Sequence, residues 1–188
     1  MKQAKTLTAQ ELRQALGHVA LSKHALRNRA MLLLTHYAGM RVGEVAALRV
    51  GDVLDAAGNV RSELRLEAHQ TKGQVGRTVF VNDRLQKELA AYARTLRSKD
   101  STGPFFVTQK RTGFSANTLT QHFGELYARA GLEGATSHSG RRTFITSLAS
   151  QGVSVRVLAA LAGHRSIQTT QRYIDVNDNM LRNAVELV

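Results

Sequence analysis

Glu63-Leu64-Arg65-Leu66-Glu67-Ala68, followed a few residues later by residues 77–81, decides the fold class. The first stretch alternates charged and apolar side chains, the period of a strand with one buried face, and the second reads as its partner. Between them, Thr71-Lys72-Gly73-Gln74-Val75-Gly76 holds two glycines, which suit a bent, mobile hairpin tip. A turn signal at residues 55–59 precedes the pair.

Outward in both directions the pattern turns helical. Thr8 with Glu11 three positions on forms a capping box, and Leu12, Leu16 and Val19 recur on one face, so a first helix runs over Ala9–Ala20. A second covers residues 25–38 and stops at Gly39, and a third covers residues 42–48. Arg41 therefore lies at a helix-turn-helix junction. Beyond the strands, Asn82 caps a charged amphipathic helix over residues 83–97, and residues 98–104 form a loop. Phe105-Phe106-Val107 reads as a short buried segment. Helices follow over residues 116–130, over Ser139–Ser150 and, capped by Ser154, over Val155–Ala162. Ser166 is expected to cap a short helix reaching Tyr173, and Asn177 to introduce a last segment running to Val188. The expected fold is mainly α with a small antiparallel β-sheet, an α+β chain without internal repeats.

The 188 residues carry 26 Lys+Arg against 14 Asp+Glu, a net charge of +12, and no cysteine. That length suits one domain, and 43% hydrophobic residues supply a core that a disordered basic tail would lack. The longest apolar run, residues 157–162, is far too short to cross a bilayer, and the first residues lead into no apolar signal segment. Without cysteine there are no disulfides, thiolate nucleophiles or Cys-held zinc, and a reducing, cytoplasmic setting is expected. The surplus charge favours an extended polyanion. Neither terminus is a clear membrane-surface helix, so nucleic acid is preferred over a membrane. Aromatic residues at 5% and an absence of Trp point to backbone contacts on double-stranded DNA more than to base stacking. Such binding is expected to weaken strongly with salt.

In His138-Ser139-Gly140-Arg141-Arg142, His138 and Arg141 share a face at a helix start, where free backbone N–H groups also favour anions. Leu161-Ala162-Gly163-His164 is followed nine positions on by Tyr173. Taken singly, each candidate has an ordinary reading. His138 and His164 could cap helices, Tyr173 could be a half-buried core residue, Arg41 could pair with Glu44, and Lys72 could be a solvated turn lysine.

Together and in this order, Gly39-Met40-Arg41-Val42-Gly43-Glu44, the hairpin Lys72, His138-x-x-Arg141, Gly163-His164 and Tyr173 resemble the catalytic set of the tyrosine recombinase, or phage integrase, family. The resemblance runs from about Leu7 to the C-terminus and matches the order of helices and hairpin. It implies a site-specific DNA recombinase or integrase. Tyr173 would be the nucleophile, Arg41 and Arg141 the phosphate clamps, and Lys72 the general acid for the leaving 5′ oxygen. His138 would manage proton transfer, His164 would hydrogen-bond the transferring phosphate, and Glu44 would support the site. Gly140 departs from the pattern, standing where a larger apolar residue, commonly Leu, precedes the second arginine. On this resemblance residues 1–188 form a single catalytic domain. The helical core-binding domain that usually precedes it is expected to be absent, with lower affinity and selectivity as the expected consequence. The 15 residues after Tyr173 are a short tail, of the kind that in the family docks on a neighbouring subunit; self-association on DNA is expected.

The chemistry explains the residue types. Two guanidiniums offer permanently charged planar forks to the nonbridging oxygens of a phosphodiester and to the charge that develops on them. A phenol that attacks phosphorus becomes a covalent 3′-phosphotyrosyl link, so the bond energy is kept and no ATP is needed. An ammonium on a hairpin can protonate the departing oxygen. No carboxylate cluster for two metals is evident, so neither metal nor cofactor is expected. A metal site using His138 and His164 lacks a compact ligand pattern. Two rivals remain: a type IB topoisomerase-like enzyme that reseals the same strand, and a non-catalytic DNA-binding module.

Overall fold

The computed structural model describes residues 4–98, 100–174 and 178–186. Helix α1 (Ala9–Ala20) starts on the expected capping box: Thr8 Oγ1 accepts from the Glu11 N–H and the Glu11 carboxylate accepts from the Thr8 N–H. Helices α2 (Ala25–Tyr37), α3 (Val42–Ala46) and α4 (Val50–Val53) follow. Strands β1 (Glu63–Leu66) and β2 (Arg77–Phe80) pair antiparallel, with Glu63 opposite Phe80 and Leu66 opposite Arg77. The alternation places Leu64, Leu66 and Val79 in the core. A 3-10 turn at Ala68–Gln70 leads from β1 into the hairpin tip, where Gln74 adopts a φ of 54°.

Helices α5 (Asp83–Ala93), α6 (Ala116–Arg129), α7 (Ser139–Ser150), α8 (Val155–Ala162), α9 (Ile167–Gln171) and α10 (Asp178–Val185) complete the chain. Asn82 caps α5 through its side chain, as do Ser115 for α6 and Ser154 for α8. Ser166 precedes α9 without a side-chain cap, contrary to expectation. The expected start at Asn177 lies outside the described residues.

α2 is the central element, with Ala30 to Leu34 buried all round. It packs against α1, α5 and α7. Arg29 of α2 forks onto Glu88 of α5 through bonds of 2.7 and 2.6 Å. Phe105, Phe106 and Tyr92 form an aromatic cluster with centroids 4.9 to 5.4 Å apart, and Tyr92 Oη donates to the Phe105 carbonyl. Against α7, Thr143 Oγ1 accepts from the Leu7 N–H at 2.7 Å and fastens the N-terminal segment.

Three helices, α3, α5 and α9, end short of their sequence pattern, α9 at Gln171 where Tyr173 was expected. α3 ends at Ala46 because the Leu48 carbonyl is taken by the Phe105 N–H and Arg49 bridges to Pro104. α5 ends at Ala93, four residues before its expected limit at Arg97. Helix α4 and the 3-10 turn were not expected. They hold each other: Gln70 Nε2 donates to Asp52 Oδ2 at 2.7 Å and to the Ala47 carbonyl at 3.0 Å.

Candidate active site

The C-terminal end of α8 collects the site. Gly163 closes the helix in the left-handed conformation, φ 61°, which glycine adopts without a Cβ penalty. Three consecutive carbonyls there each accept from a different arginine. Leu161 O takes Arg77 Nη1 at 2.8 Å, Ala162 O takes Arg141 Nη2 at 2.6 Å, and Gly163 O takes Arg41 Nη2 at 3.1 Å. The physical basis is plain: terminal helix carbonyls lack intrahelical partners and carry the negative end of the dipole, so cations are stabilised there.

α7 delivers Arg141, which is 4% exposed and also donates through Nη1 to the Gly39 carbonyl at 2.5 Å. Burial, and after it the Arg41 charge, pulls this guanidinium down to about 9, which still leaves it charged at neutral pH. Arg41 enters from the junction between α2 and α3. Its pairing with Glu44 exists as the ordinary reading allowed, at 2.8 Å, yet its second fork arm reaches Gly163. Glu44 is 1% exposed and also accepts the Arg41 backbone N–H at 2.8 Å. Burial pushes its carboxyl up, but Arg77 and then Arg41 together more than offset this and hold it below the usual range.

His164 Nε2 lies 2.8 Å from Arg141 Nη2. A guanidinium only donates, so Nε2 accepts, and the neutral ring carries its proton on Nδ1, which donates to the buried Thr170 Oγ1 at 2.8 Å. Burial, then Arg141, Arg41 and Arg77, pulls His164 down to about 4. The Tyr173 ring stacks on His164 with centroids 5.8 Å apart, and Arg142 covers it with Cζ 5.6 Å from the centroid. α9 supplies the spacing: the Tyr173 N–H bonds back to the Thr170 carbonyl, placing the phenol one turn beyond the hydroxyl that fixes the histidine.

His138 stands at the start of α7 and faces solvent without capping the helix, so the capping alternative is not what holds it. Partial burial, then Arg141, Lys72 and Arg41, lowers its pKa. Lys72 is exposed at the hairpin tip. The tip itself is anchored where a freely mobile loop was expected: Arg165 Nη2 donates to the Gly73 carbonyl at 2.6 Å. The structure thus gathers Arg41, Glu44, Arg141, His164 and Tyr173 in one contact network, with His138 and Lys72 on its rim. Arg77 belongs to the same network and was missed. Its partners lie 33 and 84 residues away in sequence, so no local signal marks it. Among the described residues no group of three or more His, Asp or Glu side chains could hold a metal ion. Among the described residues no helix is long and apolar enough to cross a membrane.

The fold and site define a helical domain in which arginines, a neutral imidazole and a phenol meet at one helix C-terminus beside a lysine-bearing hairpin. Residues 5–180 match the phage integrase family, and the chain belongs to that family as its catalytic domain. Among curated relatives, the tyrosine recombinase XerA of Pyrococcus furiosus is 30% identical over 185 residues, covering 97% of this chain and 61% of its own length. Tyrosine recombinase XerC of Rhodospirillum centenum is 31% identical over 163 residues, covering 86% and 46%. The crystal structure of XerA recombinase superposes with a TM-score of 0.78 at 27% identity, covering all of this chain and 66% of that one. A lambda integrase dimer bound to a COC′ core site shares the fold, with a TM-score of 0.69 at 22% identity over 93% and 49% of the two chains. The chain therefore spans about half to two thirds of the length of these relatives.

Proposed function

We propose that this domain cleaves and rejoins double-stranded DNA through a 3′-phosphotyrosyl intermediate, as a site-specific recombinase or integrase. The observation that carries the reading is the meeting of Arg41 and Arg141 on adjacent carbonyls, Gly163 and Ala162, beside a His164 that is stacked on Tyr173. The guanidinium forks take the nonbridging oxygens of the scissile phosphate and stabilise the charge added at the transition state. Tyr173 Oη attacks phosphorus and its proton passes to a base, with His138 on the rim serving that transfer. Lys72 protonates the departing 5′ oxygen from the hairpin. His164 contacts the phosphate as a donor, so the Nε2 that accepts from Arg141 in the free protein takes up a proton as phosphate enters. Glu44 orients Arg41. The positive field comes from the arginines, and the reaction runs without metal or ATP.

Double-stranded DNA is the partner, and two or more copies assemble on it; the lambda integrase relative is a dimer on its core site. The test is capture on a pool of nicked duplexes with randomised flanks, in which the cleaved fragment diffuses away and traps the adduct. The parent protein is expected to form a denaturation-resistant adduct that maps to Tyr173 in the presence of a chelator, and Tyr173→Phe to form none. An adduct on another side chain, or one strictly dependent on Mg²⁺, overturns the assignment. Joining of strands from separate duplexes distinguishes recombination from relaxation of supercoils by a topoisomerase-like enzyme. Binding with no capture on any sequence leaves a non-catalytic DNA-binding module.

A further inference from the structure

Arg77 opens β2, on the same hairpin as Lys72, yet its side chain points away from the tip into the arginine network. Its side chain is 9% exposed and all three nitrogens are engaged. Nε and Nη2 fork onto the two oxygens of Glu44 at 3.2 and 2.6 Å, and Nη1 reaches Leu161 O at 2.8 Å. The route is open only because residue 163 is glycine: a Cβ there would stand 2.5 Å from Arg77 Cδ.

Charge decides what this contact is for. Glu44 is a single buried carboxylate between two guanidiniums. In the free protein, with His164 neutral, Arg41, Arg77 and Arg141 against Glu44 leave 3 − 1 = +2 in the network, before the proton that His164 takes up as phosphate enters. A phosphodiester brings one negative charge and the five-coordinate phosphorus of the transition state brings two. If Arg77 were absent, Glu44 would be neutralised by Arg41 alone, and the charge left for phosphate would fall by one. The surviving ion pair would also draw Arg41 toward Glu44 and away from Gly163 O, because a carboxylate fork outcompetes a carbonyl for a guanidinium.

We propose that Arg77 is a positioning residue of the phosphate clamp: its two-point ion pair neutralises the Glu44 that Arg41 also contacts, so that Arg41 keeps its second arm on Gly163 O and the network keeps a surplus positive charge for the scissile phosphate. The proposal rests on the phosphoryl-transfer reading above and deepens it. Arg77 itself touches no phosphate.

The experiment compares the parent, Arg77→Met, Arg77→Lys and the double variant Arg77→Met/Glu44→Gln on a nicked duplex the parent captures. Arg77→Met is expected to slow capture by roughly 100-fold, the scale of losing one preorganised charge contact, while DNA affinity changes less than about threefold. Arg77→Lys falls between, since it neutralises Glu44 without the fork. The double variant regains at least about tenfold over Arg77→Met, because no carboxylate remains to draw Arg41 aside. A merely structural arginine predicts that rate and thermal midpoint fall and recover together, since removing the carboxylate also relieves a buried uncompensated charge, whereas the positioning role predicts that the rate is lost in Arg77→Met held well below its midpoint, where it is fully folded. Capture by Arg77→Met at the parent rate, or a double variant no faster than the single, overturns the proposal.

A second readout needs no DNA. The charged groups facing His164 are Arg141, Arg41, Arg77 and Glu44. Removing Arg77 strips one cation and frees the carboxylate, so the His164 imidazole, followed by NMR in folded protein, is expected to titrate upward from about 4. An unmoved titration in a folded Arg77→Met variant also overturns the proposal. If the parent captures no DNA at all, the function reading fails while this titration still decides the coupling of Arg77.

Discussion

Gly140 precedes the clamp residue Arg141, and its missing side chain has a steric cause. A Cβ at this position would overlap Thr35 Oγ1, which is fully buried on α2 and donates to the Leu32 carbonyl. The glycine thus lets α7 approach α2 closely and seats Arg141 against Gly39 O, the carbonyl that follows the end of α2. Restoring the leucine common in the family should therefore damage this chain. Gly140→Leu is expected to cost about 3 kcal/mol or more, since overpacking a close helix contact forces both backbones apart. Urea unfolding measures it, and an unchanged midpoint would show that the helix spacing does not depend on the glycine. The residues with motif spacing were legible in the sequence for the same reason that Gly140 was only half legible. Arg41, His164 and Tyr173 are fixed by their own turn and its neighbours, whereas the fit of Gly140 depends on a side chain more than a hundred positions away.

At the scale of elements, legibility follows who supplies the ends. α1, α7 and α8 match their expected limits, with Thr8 and Ser154 supplying two of the starts and Gly163 one of the ends. α3 was overestimated because its end is made by pairing with the distant segment at Pro104 and Phe105. α4 was invisible because four residues generate no periodicity and its anchor, Gln70, lies outside it. The hairpin follows the same logic. Two glycines suggest freedom, but the tip is held by Arg165, the neighbour of His164. This places the Lys72 hairpin and the turn bearing His164 in one unit. Arg165→Gln is expected to loosen the tip while leaving the core intact, since an exposed bond contributes about 1 kcal/mol or less. Trypsin cleavage after Lys72 should accelerate severalfold with little change in the thermal midpoint. An unchanged cleavage rate would mean that the glycines, and not the tether, govern the tip.

Across the whole molecule, a surplus of positive charge and partial burial act on the histidines together. His24, His36, His122, His138 and His164 are all held below the ordinary imidazole value, with burial the first cause in each and arginines the next. His36 falls to about 4 under burial and Arg84, and its Nδ1 is buried without a partner. His164 falls to about 4 as well. These folded-state values lie below that of an unfolded histidine, near 6.5. Between pH 6.5 and 4 the unfolded chain therefore binds protons that the folded chain refuses, and stability is lost as pH falls through that window. Glu44, held low by Arg77 and Arg41, adds a loss in the same direction at more acid pH. Solvent screening discounts both of these partly buried imidazoles, so together they are expected to cost about 2 kcal/mol between neutral pH and pH about 5. Urea unfolding at the two pH values measures the difference. His36→Gln, which cannot take up a proton, should flatten much of the slope, and an equally steep slope in that variant would assign the acid sensitivity to groups other than the buried imidazoles.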